Sequence, residues 1–181
     1  KKLNLFNKIL WLIFNFVNNN LIKKKYDANL FRKKYKPSKK NYNLIDQYTN
    51  SSPSRILCNM FFLDYNWEQI KSNFNKVNIL EIGCGRGVQL KLFDEIFKDG
   101  YSYLGIDIKE YDEWKAIRNE KIKFVADNYL NFAEYLDETN IIFSQSALEH
   151  LDEDILLFKK ISSYINRVKK KKILNLHFFP S

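Results

Sequence analysis

The chain has 181 residues, is 45% hydrophobic and 28% charged, and carries a formal net charge of +9. This length suits one domain with a short extension, and the composition excludes disordered, collagen-like and low-complexity proteins. The positive charge belongs to residues 1–40, which hold 12 basic side chains and one acid, Asp27. The two cysteines lack metal-ligand spacing, so we predict no disulfide framework and no metal site, and we expect a cytoplasmic location.

Residues 3–18 show the spacing of an amphipathic helix, with apolar side chains at intervals of three and four and asparagines opposite them. A basic stretch with interleaved aromatic residues, 23–40, follows this helix. The combination is typical of an anchor on an anionic membrane surface, here the inner face of a membrane. Two alternatives stay open. In the first, the helix packs on its own domain and the lysines are solvated. In the second, which the pattern favours less, the basic stretch binds nucleic acid.

The chain is expected to have three parts: a basic amphipathic extension (1–40), a helical lead-in (41–76) and a core (77–181). In the lead-in, residues 48–55 form a polar, turn-rich stretch and residues 56–74 have a helical pattern. In the core, apolar runs predict strands at 77–82, 101–108, 122–126, 141–143 and 173–179. Helical patterns lie between them, at 88–97, 112–119, 129–136 and 152–168. This alternation predicts an α/β fold with a doubly wound, mostly parallel sheet.

A glycine-rich turn follows the first core strand, in the order Gly83-Cys84-Gly85-Arg86-Gly87. Such a turn lets a ligand approach the backbone closely. A nucleotide-phosphate loop is excluded because no Gly-Lys-Ser/Thr follows, and the dinucleotide spacing of glycines is absent. Glu81, two residues before the turn, would repel a pyrophosphate but attract an ammonium group.

Acidic residues also end the next two strands. Asp107 ends the second strand, where a carboxylate accepts hydrogen bonds from ribose hydroxyls. Asp127 ends the third strand and is placed to accept from an adenine amino group, with the Asn128 backbone amide offered to a ring nitrogen. Three acids at three strand ends therefore predict an adenosine ligand that carries an amino acid rather than phosphates. The alternative is a purely structural role, in which Gly83 and Gly87 are only turn glycines and Asp127 is only a helix cap.

Together these motifs resemble the class I S-adenosylmethionine-dependent methyltransferases. The matching residues are Glu81-x-Gly83-x-Gly85-x-Gly87, Asp107, Asp127 and the stretch 143–151 after the fourth strand. The resemblance implies a Rossmann-like fold, S-adenosylmethionine as cofactor and S-adenosylhomocysteine (SAH) as product. In the family, the glycine loop holds the methionine part, the second acid the ribose and the third acid the adenine, which implies these roles for Glu81, Gly83, Gly85, Gly87, Asp107 and Asp127. We expect the cofactor pocket to include Cys84, Ile108, Asn128, Ser144 and Gln145 as well. The family usually adds two strands after the fifth, so we expect this sheet to lack its last two, in a fragment or with an open edge.

A hydroxyl acceptor needs a general base beside the methyl donor. His150 is the leading candidate because it follows the fourth strand, on the side where the acceptor approaches; His177 and Glu149 are the others. Arg55 and Arg86 are candidates for the cofactor carboxylate, or are ordinary surface arginines.

The acceptor is expected to be a small molecule or a sugar or glycan. A looser similarity, in residues 51–55 and 176–181, is to methyltransferases associated with bacterial surface-polysaccharide genes. The Asn/Asp-Pro-Pro-Tyr/Phe motif of base-amino methylation is absent from residues 144–147. Two alternatives remain: an RNA methyltransferase that uses the basic arm, and a non-catalytic interaction protein with the same fold.

Overall fold

The computed structural model describes residues 5–17, 35–41, 52–168 and 171–179. The chain divides into two units, residues 1–35 and 36–181. In the first unit, the predicted amphipathic helix is present as α1 (Leu5–Phe16). Most of the predicted basic stretch 23–40, and residues 48–51 of the turn-rich stretch, lie outside the described residues. Among the helices in the described ranges, none is long and apolar enough to cross a membrane.

The second unit is a five-stranded sheet flanked by helices. Its helices are α2 (Pro53–Asp64), α3 (Trp67–Lys71), α4 (Leu90–Phe97), α5 (Glu113–Ile117) and α6 (Asp154–Arg167), with short 3-10 helices at Lys39–Asn41, Tyr129–Tyr135 and Leu148–His150. Its strands are β1 (Val77–Ile82), β2 (Tyr101–Asp107), β3 (Ile122–Ala126), β4 (Ile141–Gln145) and β5 (Leu174–Phe178). All pairings are parallel and the order is β3-β2-β1-β4-β5. The α/β, doubly wound fold is thereby confirmed.

The central strands are buried on both faces, as parallel strands between helical layers must be. Because side chains alternate along a strand, Ile79 of β1 belongs to one hydrophobic cluster and Leu80 to another. Aromatic rings dominate the first cluster, where Phe62 of α2 lies edge-on to Phe93 and Phe143. The strand order reverses between β1 and β4, and ligands of doubly wound sheets bind at the carboxyl ends beside this reversal.

Several predicted boundaries differ from the structure. The single helix expected at 56–74 is two helices, because Tyr65 is extended (ψ 151°) and Asn66 caps a new helix by accepting a hydrogen bond from the Gln69 backbone N–H. The last three residues of the turn-rich stretch are helical instead, since Ser52 is an N-cap followed by Pro53 in the first turn of α2. The segment expected as a helix at 129–136 is a 3-10 helix. The three-part division of the chain stays a prediction.

Candidate active site

The glycine loop (residues 83–89) follows β1 and is held against the end of β2. The backbone N–H groups of Gly83 and Cys84 donate to the carbonyl oxygen of Ile106, at 2.8 and 3.1 Å. The Gly85 N–H donates to Oδ2 of Asp107 at 2.8 Å. On its other side, the Gly85 carbonyl accepts from the indole Nε1 of Trp114 at 2.8 Å. The loop is therefore ordered by the same acid that was predicted to bind ribose.

The loop glycines adopt conformations that other residues rarely take, with φ of 71° at Gly83 and 51° at Gly85. A Cβ built on Gly83 would lie 2.4 Å from the Cβ of Ala147, just after β4, so this glycine is required by packing. A Cβ built on Gly85 would meet no atom within 4 Å. The loop therefore presents an open face at Gly85, where a ligand can approach the backbone.

Glu81 lies in the protein interior, with 2% of its surface exposed. Its Oε2 accepts a 2.6 Å hydrogen bond from the Tyr103 hydroxyl. Burial raises the pKa of Glu81 to about 8; the Tyr103 bond opposes this shift and the nearby Asp107 charge adds to it. The carboxyl group is therefore largely protonated at neutral pH unless a cation comes near it.

The side chain of Cys84 is also buried, and burial raises its thiol pKa far above the usual range, with Glu81 and Asp107 adding smaller effects in the same direction. Its sulfur would lie 2.7 Å from a Cβ built on Gly105, so this glycine makes room for it. The side chain of Cys84, one of the predicted pocket residues, thus points into the core, and only its backbone remains available for ligand contact.

β2 ends at Asp107, the residue predicted to contact ribose, and Ile108, another predicted pocket residue, follows it. One carboxyl oxygen of Asp107 is used by Gly85, and its main-chain carbonyl accepts from the Asp127 N–H at 2.9 Å. The next residue, Ile108, is 76% exposed. A large, exposed apolar side chain beside a carboxylate is suited to packing against one face of a purine.

At the end of β3, Asp127 and Asn128 form a local network. Oδ1 of Asp127 accepts from the Asn128 N–H at 2.7 Å and from Nδ2 of Asn131 at 2.8 Å. The Asn128 amide, expected to be free for an adenine nitrogen, is thus engaged by its neighbour. The capping role considered for Asp127 belongs to Asn128, whose side chain accepts from the Leu130 N–H at 2.8 Å.

Ser144 and Gln145 end β4 and point to opposite faces of the sheet. The buried Ser144 hydroxyl lies 2.8 Å from Nδ1 of His177 on β5. Nε2 of Gln145 donates to Oδ1 of Asn59 on α2 at 2.8 Å. The side chain of Gln145, only 7% exposed, leaves its Oε1 without a partner.

Buried polar atoms without a hydrogen-bond partner are rare in folded proteins, so each of them is a candidate for ligand contact. Among the described residues, the buried side-chain atoms of this kind are Arg55 Nε, Gln145 Oε1 and His177 Nε2. Arg55 and Gln145 are neighbours, because Gln145 Nε2 also approaches the main-chain carbonyl of Arg55 at 3.5 Å. Arg86, the other arginine considered, is exposed and pairs with Glu113 at 3.3 Å.

The three candidate bases occupy different environments. Glu149 and His150 are exposed on the 3-10 helix after β4, and the His150 N–H bonds the carbonyl of Ala147, the residue that abuts Gly83. His177 instead lies against the ring of Phe158 on α6, at 5.2 Å between centroids. Burial lowers the pKa of His177 to about 4, so it is neutral and weakly basic at neutral pH.

Sequence reasoning missed Tyr103, Trp114 and Asn59, each of which bonds a site residue. In the sequence, these positions fit only the apolar or helical pattern of their segments, and nothing marks them as site residues. A cavity of about 830 Å³ lies elsewhere, at the amino-terminal ends of the strands around Asn78 and Ser102. It is not the candidate site, because doubly wound folds bind their ligands at the carboxyl ends.

Several solved structures of methyltransferases are similar to this chain. The solved structure of the plantazolicin methyltransferase BpumL in complex with SAH is 21% identical, with a TM-score of 0.50, over 70% of this chain and 50% of that one. The BamL enzyme, in complex with SAH and a triazolic desmethylPZN analog, is 21% identical, with a TM-score of 0.49, over 69% and 46%. A SAM-dependent methyltransferase from Archaeoglobus fulgidus is 23% identical, with a TM-score of 0.43, over 68% and 52%.

The likeness to BpumL is one of fold, and the chain spans about half the length of these solved proteins. No curated protein matches it in sequence. A family model described as "Methyltransferase domain" matches residues 80–170, half of the chain. The chain therefore belongs to the methyltransferase-domain family, which confirms its resemblance to the class I S-adenosylmethionine-dependent enzymes.

Proposed function

We propose that the protein transfers a methyl group from S-adenosylmethionine to a small-molecule or sugar/glycan acceptor. The observation that carries this proposal is the open glycine loop at Gly85, tied to Asp107 and lying beside the buried Glu81. When bound, the cofactor supplies an electrophilic methyl group on a sulfonium. The protein's own task is to position that group and, for a hydroxyl acceptor, to remove a proton.

The residues present fit the amino-acid end of this cofactor. Arg55 offers an unpaired donor and its neighbour Gln145 an unpaired acceptor, which suits a carboxylate and an ammonium group. The protonated Glu81 adds a carboxyl group that ionises when a cation approaches. At the other end of the ligand, Asp107 has a second carboxyl oxygen for the ribose, and Ile108 an apolar face for adenine.

His150 is the proposed base. It is exposed on the turn that begins beside Gly83, whereas His177 is engaged by Ser144 and held neutral by its surroundings. A base at the site must come within hydrogen-bond reach of the acceptor, and an exposed side chain on this turn is open to an incoming molecule. Glu149, exposed on the same turn, is the second choice.

Calorimetric titration of the protein with SAH tests the cofactor assignment. Binding to the folded protein supports it, and the absence of binding overturns both the catalytic proposal and its RNA alternative in favour of a non-catalytic interaction protein. The acceptor class is tested next by incubating the protein with methyl-labelled S-adenosylmethionine and separate glycan, lipid and RNA fractions. Label in RNA, with binding that weakens steeply as salt rises, would favour the RNA alternative.

A further inference from the structure

Helix α1 exposes large apolar side chains along its whole length. The exposed positions are Leu5, Phe6, Ile9, Leu10, Trp11, Leu12, Ile13, Phe14, Phe16 and Val17. At ~100° per residue, all of these except Trp11 fall within an arc of roughly 200°. By the same spacing, the polar residues that the sequence has at positions 7, 8 and 15 belong to the remaining sector, together with Trp11. A continuous apolar surface of this width marks a site for an apolar partner.

The charge that the sequence places around α1 indicates what that partner is. Residues 1–40 carry 12 basic side chains and a single acid, a net charge of +11. A second copy of the chain seated on α1 would bring two such segments together, and like charges repel. A bilayer with anionic headgroups instead offers hydrocarbon to the apolar arc and phosphates to the lysines.

The length of α1 specifies how it meets the bilayer. Its 12 residues extend for only ~18 Å, against a hydrocarbon thickness of ~30 Å. A helix of this length with a polar sector lies parallel to the surface. Trp11 falls in the polar sector, among residues that would face the headgroups, where indoles are enriched.

We propose that α1 is an interfacial helix that embeds its apolar arc in an anionic lipid surface, to which the positive charge of residues 1–40 attracts the chain. This inference is independent of the methyltransferase proposal, because its readout is lipid binding rather than activity.

The test uses the whole protein and two kinds of vesicle, pure phosphatidylcholine and phosphatidylcholine containing phosphatidylserine. Sedimentation measures binding, and tryptophan fluorescence reports where it occurs. Trp11 is 60% exposed, whereas Trp67 and Trp114 are buried, so a blue shift on binding reports the environment of α1. The shift should be absent from a Trp11→Phe variant that still sediments with vesicles.

Ile13 lies near the centre of the arc and is 55% exposed, so Ile13→Asp can be made without disturbing a packed core. We expect it to weaken binding to anionic vesicles by about tenfold or more. Ile155→Asp on α6 is the matched control, at a 67% exposed isoleucine in the other unit, and should bind normally. Replacing Lys23, Lys24 and Lys25 by glutamine should weaken binding by roughly 100-fold.

Binding that requires phosphatidylserine, that is weakened in Ile13→Asp and in the lysine variant, and that is retained in Ile155→Asp supports the proposal. Equal binding to neutral vesicles would overturn it, because charge would then have no part. Absence of vesicle binding would overturn it as well. In that case, dimerisation abolished by Ile13→Asp would identify a second copy as the occupant, and salt-sensitive RNA binding would identify nucleic acid.

Discussion

The Tyr103 hydroxyl on β2 donates a 2.6 Å hydrogen bond to the buried carboxyl group of Glu81 on β1. These two side chains lie behind the glycine loop, in the layer that contains Cys84. Burial at this position raises the pKa of Glu81 to about 8, even though the hydrogen bond from Tyr103 favours ionisation. The acid next to the proposed cofactor is therefore neutral until a positive charge arrives.

The first prediction concerns stability and pH. The unfolded chain loses the Glu81 proton near pH 4.5 and the folded protein near pH 8, so the folded state binds more protons between these values. The stability that the neutral carboxyl contributes is complete below pH 4.5 and is lost as the pH rises through 8. Relative to wild type, Glu81→Gln should gain roughly 4 kcal/mol between pH 4.5 and 8 in urea unfolding. Parallel pH profiles for the two proteins would contradict the assignment.

The second prediction links the same group to cofactor binding. If the ammonium group of SAH approaches Glu81, the carboxyl ionises and a proton is released at pH 7. Calorimetry in buffers of different ionisation enthalpy should detect this release in wild type and not in Glu81→Gln. Tyr103→Phe, which removes the hydrogen bond but keeps the acid, should still release a proton. Proton release that persists in Glu81→Gln would assign it to another residue.

The third prediction concerns Asp107, which both orders the loop through Gly85 and faces the proposed ribose site. Asp107→Ala should weaken SAH binding by ~1–3 kcal/mol, because ribose hydroxyls and the Gly85 N–H lose their acceptor. Asp107→Asn keeps an acceptor for Gly85 and separates the two effects. Unchanged calorimetric affinity in the alanine variant would refute the role of Asp107.

The fourth prediction compares two glycines of one loop. Gly85→Ala adds a methyl group to open space, so the backbone strain should cost ~1 kcal/mol of stability while SAH affinity falls by more than tenfold. Gly83→Ala drives the methyl group onto Ala147, so it should lose a further ~1–3 kcal/mol in unfolding. Normal SAH binding by Gly85→Ala would show that the ligand lies elsewhere.

The fifth prediction separates the histidines. With an acceptor fraction that becomes labelled, His150→Ala should lower the methyl-transfer rate by about 100-fold and leave SAH affinity unchanged. His177→Asn should mainly change acid stability. Because the folded-state pKa of His177 is about 4, wild type loses stability as the pH falls from 6.5 through 4, and the variant should not. A normal rate in His150→Ala would remove it as the base.

Much of the fold was accessible from the sequence for a simple physical reason. Strands buried on both faces must be apolar runs, and the runs at Val77–Ile82 and Ile141–Gln145 have few polar interruptions. The helical lead-in was harder to read. Its helical periodicity continues past Tyr65, and only the extended backbone there, with Asn66 capping the next helix, separates α2 from α3.

The sequence by itself determined the order of strands and helices, the glycine loop and the three acids at strand ends, because these depend on local spacing and on strand polarity. Only the tertiary structure decided the state of each group. In the structure, Glu81 is buried against Tyr103, and the Asn128 amide donates to Asp127. Arg55 lies next to Gln145, and the apolar arc of α1 is exposed. Burial and hydrogen-bond partners come from residues far apart in the chain, so no local pattern records them. The net charge of +9 likewise comes from one segment of the sequence, residues 1–40, which precedes the glycine loop in the chain.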